Sequence, residues 1–111
     1  MVAEIEISSV AALLGNAFDW VHYAASKAAV DTFTRGLALE VAGHGIRCNG
    51  VRPGLTLTDI NPPDRVEALL STIPLHRGAQ PEKIAEAVIW LLSDQASYCT
   101  GTILNVSGGR Q

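Results

Sequence analysis

The sequence predicts an α/β protein built on a parallel sheet, and three observations carry that expectation. Short runs with strand character alternate with longer runs of helical periodicity, in the order strand, helix, strand, flap, helix, strand. Hydrophobic residues make up 48% and charged residues 17% of the 111 positions, a globular balance. At this length the expectation is one domain, able to bury roughly two-thirds of its unfolded surface. No repeat or linker divides residues 1–111, which read as a single unit.

The elements follow in order. From Val2 to Ile7 apolar and acidic residues alternate, Ile5 and Ile7 against Glu4 and Glu6, which is strand periodicity. Ser8-Ser9-Val10 leads into a stretch of small residues and the Gly15-Asn16 turn signal. From about His22 to Ala42 the pattern is helical: Phe33, Leu37 and Val41 recur every fourth position, and Ala29 and Val30 extend that stripe. Gly43 and Gly45 stop it. Ile46 to Val51 reads as a strand ended by Pro53-Gly54. Thr56 to Arg77 holds a Pro-Pro pair and a short helical pattern, and reads as a mobile flap over a site rather than a core element. Pro81-Glu82 opens a second clear helix, with Ile84, Val88, Leu91 and Leu92 as its apolar stripe. Thr102 to Val106 is the last strand.

Composition excludes several classes of function. Eight Lys and Arg against eleven Asp and Glu give a net charge of -3, and no basic run exists, so neither nucleic acid nor an anionic membrane is expected as a partner. No apolar stretch approaches the ~20 residues that cross a bilayer. The acidic start, Met1-Val2-Ala3-Glu4-Ile5-Glu6, is the opposite of a secretory signal. Cys48 and Cys99 are too few for a disulfide scaffold and read as half-buried thiols of a cytoplasmic protein. Neither they nor His22, His44 and His76 show ligand spacing, so no metal is expected. Trp20 and Trp90 read as packing residues; Asp64 and Arg65 in the flap could touch substrate, with a solvated surface role the expectation.

One constellation carries chemistry. Tyr23 and Lys27 stand i to i+4 at the start of the long helix, which puts phenol and ammonium on one face, a turn apart. A phenol titrates near 10 and is a poor acid–base catalyst at neutral pH. A neighbouring positive charge favours the phenolate and brings it toward the useful range. Such a tyrosine could give a proton to a carbonyl oxygen or take one from a hydroxyl. Ser9, fourteen residues upstream at the end of a strand, could add a second donor to the same oxygen.

The segments Ile7-Ser8-Ser9-Val10, Tyr23-Ala24-Ala25-Ser26-Lys27-Ala28-Ala29-Val30 and Gly45-Ile46-Arg47-Cys48-Asn49-Gly50-Val51-Arg52-Pro53-Gly54 together resemble the short-chain dehydrogenase/reductase family. Thr58-Asp59, Pro81-Glu82 to Ser93, and Thr100-Gly101 to Gly108-Gly109 extend the resemblance to the C-terminus. It implies the C-terminal half of a Rossmann-like, doubly wound parallel sheet, binding NAD or NADP. By resemblance Tyr23 is the acid/base and Lys27 its helper and the holder of the nicotinamide ribose. Ser9 orients the substrate, with Ser8 as the alternative because one extra residue separates Ser9 from Tyr23. Pro53, Gly54, Thr56 and Thr58 resemble the loop that lines the nicotinamide. The implied substrate is a small alcohol, ketone or sugar-like molecule. A homo-oligomer through the helix from Tyr23 to Ala42 is implied as well.

The family's opening strand, glycine-rich phosphate turn and helix have no counterpart in these residues; Gly43-His44-Gly45 is a helix stop. The first strand here would be central in a whole sheet of that kind and would expose a bare edge. Two readings follow: the catalytic half of an NAD(P)-dependent oxidoreductase, or a truncated, non-catalytic relative serving as an oligomerisation module. The isolated chain is expected to have little or no activity.

Overall fold

The computed structural model describes residues 2–111. Three parallel strands lie in sequence order: β1 (Val2–Ile7), β2 (Ile46–Pro53) and β3 (Ile103–Val106). Between β1 and β2 come the one-turn α1 (Ala11–Leu14) and the long α2 (Val21–Val41); between β2 and β3 come α3 (Pro63–Leu70) and α4 (Pro81–Leu92). This is the predicted strand–helix alternation of an α/β sheet. The register sets Glu4 opposite Cys48 and Glu6 opposite Gly50, and β1 stands at the edge, paired on one side only.

Two arginines of β2 show where the helices lie. Arg52 Nε bonds Asp31 of α2 at 2.9 Å, while Arg47 Nη1 donates to the Leu91 carbonyl of α4 at 2.8 Å. Residues separated by an odd number of positions point to opposite faces of a strand, so α2 and α4 cover opposite faces of the sheet. Arg47 also donates to the Ser93 and Cys99 carbonyls, each at 3.2 Å. It thereby satisfies carbonyls that the end of α4 leaves unpaired.

Helix boundaries fall close to those expected. Gly45, at φ +74°, ends the short 3₁₀ turn Ala42–His44 that follows α2. Pro81 sits at the first turn of α4 with Glu82 beside it. β2 runs two residues further than expected, through Pro53, because this proline needs only its carbonyl there. The Val10 N–H donates to it at 3.1 Å. The short α1 was not legible in its small residues; Gly15, at φ +76°, closes it.

Two expectations are corrected. The Phe33, Leu37, Val41 stripe is not the buried side of α2. Ala24, Asp31, Thr34 and Ala38 are buried, whereas Phe33 and Leu39 are 58% and 82% exposed. The helix meets the sheet through small and polar groups; Val30, Leu37 and Val41 lie half-buried at the flank, and Val21, Phe33 and Leu39 are exposed. The flap, in turn, does not lie wholly outside the core: Ile73 is 1% exposed. Leu75 donates to the Gly108 carbonyl at 3.0 Å, and the flap base is pinned where Leu57 donates to Ala79 and Ala79 to Leu55, at 2.8 and 2.9 Å. A Cβ on Gly108 would meet Ile73 at 2.9 Å, so this close approach needs a glycine. Among the described residues no helix is long and apolar enough to cross a membrane.

Candidate active site

A cleft of about 200 Å³ opens beyond the C-terminal ends of β1 and β2, beside the first turn of α2. Ligands of open α/β sheets collect at this end of the strands. Ser9 and Val10, just after β1, form one wall; Pro53, Gly54 and Leu55, at the end of β2, form the floor; Trp20 and Tyr23 come from the other side. Gly54 is required by the fold, since a Cβ there would sit 2.8 Å from the Ser107 Cα.

The two serines have different surroundings. Ser8 is buried and its hydroxyl donates to the Lys27 carbonyl at 3.2 Å. Ser9 lines the cleft, and its Oγ accepts the Ala11 N–H at 3.1 Å. That bond uses a lone pair and leaves the Ser9 O–H free to donate. On these partners the Ser8 hydroxyl is committed to the helix backbone, while the Ser9 hydroxyl is available.

Lys27 Nζ donates to the Ile7 carbonyl at 3.1 Å and lies 5.7 Å from the centroid of the Tyr23 ring. An ammonium has three donors, so two remain unspent. The Tyr23 hydroxyl makes no hydrogen bond among the described residues. The pair therefore offers an unsatisfied phenol and an unsatisfied cation side by side. This donor set suits a ribose diol and a carbonyl oxygen.

The remaining predicted residues are dispersed. Thr56, whose hydroxyl donates to the Gly54 carbonyl at 3.2 Å, lines an apolar trough with Ile7, Pro53 and the α4 residues Ile84 and Val88. Thr58 lines a third, separate trough against α3. Only Pro53 is shared between the Tyr23 cleft and the Thr56 trough.

Three residues join the cleft that spacing does not place there; of them only Arg65 was open to a substrate contact. The Trp20 ring meets the Tyr23 ring edge-on, with centroids 6.0 Å apart and an interplanar angle of 66°. Its expected packing role is corrected: it is 51% exposed and walls the cleft. Arg65 of α3 lies 5.7 Å from the Trp20 centroid and pairs with Asp19 at 3.1 Å. Arg110, near the C-terminus, lines the cleft as well. Folding of the flap, not spacing, brings these side chains together.

Away from the cleft, Glu4, Glu6 and Cys48 bring their ligand atoms within 4.8 Å of one another on the α2 face of the sheet. Burial pushes the Cys48 thiol up from its ordinary range, and the Glu4 and Glu6 carboxylates push it further. Both cysteines are free, Cys48 buried and Cys99 half-buried.

The comparisons with known proteins fall on the same stretch of chain. A family model described as Enoyl-(Acyl carrier protein) reductase matches residues 3–111. The chain is 50% identical over 112 aligned residues to the uncharacterized oxidoreductase YgfF of Escherichia coli K12, covering 97% of this chain and 45% of that protein. It is 47% identical to carbonyl reductase family member 4 of Danio rerio, covering 98% of this chain and 45% of the relative. A blue fluorescent protein from a metagenomic library, solved in complex with NADPH, superposes with a TM-score of 0.91 at 37% identity, covering 96% of this chain and 44% of that one. The chain thus spans a little under half the length of the relatives it matches.

Proposed function

Because the chain belongs to the short-chain dehydrogenase/reductase family, we propose that its cleft handles the proton in hydride transfer between NAD(P)(H) and a small carbonyl or alcohol substrate. The observation that carries this reading is Tyr23, a phenol without a hydrogen bond among the described residues, lining a cleft that also holds the free O–H of Ser9, with the Lys27 ammonium 5.7 Å from its ring centroid. The NADPH complex of the superposed relative supports the choice of cofactor.

Lys27, Tyr23, Pro53 and Gly54 would hold the nicotinamide–ribose end, with Thr56 and Thr58 on the loop beyond. Bound NAD(P)(H) supplies or accepts the hydride. In the reductive direction Tyr23 gives its phenolic proton to the carbonyl oxygen while Ser9 donates a hydrogen bond to that oxygen; in the oxidative direction the phenolate takes the proton back. Lys27 is fixed by the Ile7 carbonyl, so its ammonium keeps its place beside the Tyr23 ring without substrate. The residues of this cleft address the nicotinamide–ribose end of the cofactor.

The matching test uses reduced nicotinamide mononucleotide, which carries that end alone. Titrated into the ¹⁵N-labelled chain, it is expected to bind weakly, shift the amides of Tyr23 and Ser9, and lose both effects in Lys27→Ala with the remaining spectrum unchanged. Absence of any shift into the millimolar range, or shifts that survive Lys27→Ala, overturns the proposal.

Exposed apolar groups on α2 support the family's oligomer. Val21, Phe33 and Leu39 are large, apolar and exposed on a helix whose other side already rests on the sheet. A self-association through this helix that Phe33→Ser abolishes in sedimentation would support it; association unchanged by Phe33→Ser removes α2 from the interface.

A further inference from the structure

Resting on the proton-handling role of the Tyr23 cleft, we infer that Arg65 and Arg110 select a carbonyl substrate that carries a carboxylate. The chain as a whole is acidic, at net charge -3, yet the cleft is lined by two arginines and by no Asp or Glu. This local inversion of charge is the first support, because a cleft of one sign concentrates ligands of the other. The second is the state of the two guanidiniums. Arg110 has no acidic partner among the described residues, and Arg65 spends a single contact on Asp19, at the rim, where the pair is 38% and 40% exposed.

The third support is arrangement. Arg65 lies against Trp20 and Trp20 against Tyr23, at 5.7 and 6.0 Å between the successive groups. Cation, indole and phenol form a row along one wall. A substrate whose carbonyl meets Tyr23 and Ser9 has its body against Trp20 and its far end at the guanidinium. The planar fork of arginine matches a carboxylate through two parallel hydrogen bonds, which a lysine or a neutral donor does not reproduce. The cofactor is also an anion, so the two sources of negative charge must be separated by experiment.

The probes are 4-acetylbenzoate, whose ring separates carbonyl from carboxylate, its neutral methyl ester, and inorganic pyrophosphate, each followed by amide and Trp20 indole shifts in the ¹⁵N-labelled chain. 4-Acetylbenzoate is expected to bind about tenfold more tightly than the ester, moving Tyr23 and Trp20 together. The preference should fall to parity in Arg65→Gln/Arg110→Gln, whose folding is safe because the exposed Arg65–Asp19 pair contributes little. Equal binding of acid and ester, or a preference that survives loss of both arginines, overturns the inference and leaves the Tyr23 site standing. Displacement of 4-acetylbenzoate by pyrophosphate assigns the arginines to the cofactor and overturns it as well. If neither acid nor ester moves Tyr23, this inference and the proposed function fail together.

Discussion

The two helices that sandwich the sheet are fastened in opposite ways. α2 presents Ala24, Asp31, Thr34 and Ala38 to the strands and is tied down by directed polar bonds: Arg52 to Asp31, Ser8 to the Lys27 carbonyl, and Lys27 to the Ile7 carbonyl. α4 is fastened by the buried Leu91, with Arg47 capping its end, and leaves an apolar trough open between Ile84, Val88 and β1. Apolar packing is non-directional and tolerates sliding, whereas hydrogen bonds and ion pairs fix one register. The helix carrying Tyr23 and Lys27 is tied at Lys27 and Asp31, beside the reacting groups, whereas α4 is tied by Arg47 at its C-terminal end. The difference teaches that polar burial on the α2 face serves placement of the reacting groups, at some cost in the burial of Phe33 and Leu39.

The largest expected effect tests the Arg52–Asp31 tie. Both side chains are nearly buried, at 12% and 5% exposure, and Asp31 Oδ1 has no partner at all. Asp31→Ala strands the arginine and is expected to cost about 3–5 kcal/mol in urea unfolding. The double variant Asp31→Leu/Arg52→Met should recover most of that stability, since an apolar pair of similar volume can replace a buried ion pair. Its nicotinamide mononucleotide shifts should nevertheless stay weakened if the tie sets the register of Tyr23. Full recovery of both would erase the distinction between the helices.

On the other face, Leu91→Ala opens a cavity at 1% exposure and should cost about 2–4 kcal/mol, with binding at Tyr23 unchanged. Stability lost and binding kept is the signature of a helix that packs without positioning. A matching loss of binding would show that the α4 face reaches the site after all.

Ser8→Ala sharpens the comparison at smaller scale. It removes one bond to the Lys27 carbonyl and is expected to cost about 1 kcal/mol, measured by the shift of the urea midpoint. Ser9→Ala likewise removes one bond, from the N–H of buried Ala11, and is expected to cost about 1 kcal/mol while also weakening 4-acetylbenzoate shifts at Tyr23.

What the sequence revealed divides along the same line. Tyr23 and Lys27 were legible because helix geometry alone places i and i+4 together, whatever the helix packs on. The existence and ends of α2 and α4 were legible from periodicity, Pro81 and Gly45. Which face of α2 is buried was not, because an apolar stripe at Phe33, Leu37 and Val41 outweighs Asp31 and Thr34 in any hydrophobic count. The decision came from Arg52, a partner on a distant strand. Trp20, Arg65 and Arg110 were not placed together for the same reason: they meet only after the flap has folded over the strand ends.

The smallest effect concerns Cys48, on the α2 face beside Glu4 and Glu6. Burial first, and the two carboxylates second, raise its thiol above the ordinary 9.0. The folded chain therefore keeps this proton at a pH where the unfolded chain has released it. Stability from this source is complete below the ordinary value and falls as pH rises through the window up to the folded value. In a Cys99→Ser background, the urea midpoint should decline more steeply above pH 9.0 with Cys48 present than in Cys48→Ala. Glu4→Gln/Glu6→Gln should reduce the decline without abolishing it, because the carboxylates are the lesser cause. Equal alkaline slopes in all three chains would mean that the thiol is not held in its neutral form by this face. The contrast between a polar α2 face and an apolar α4 face would then rest on the ties of Asp31 and Lys27.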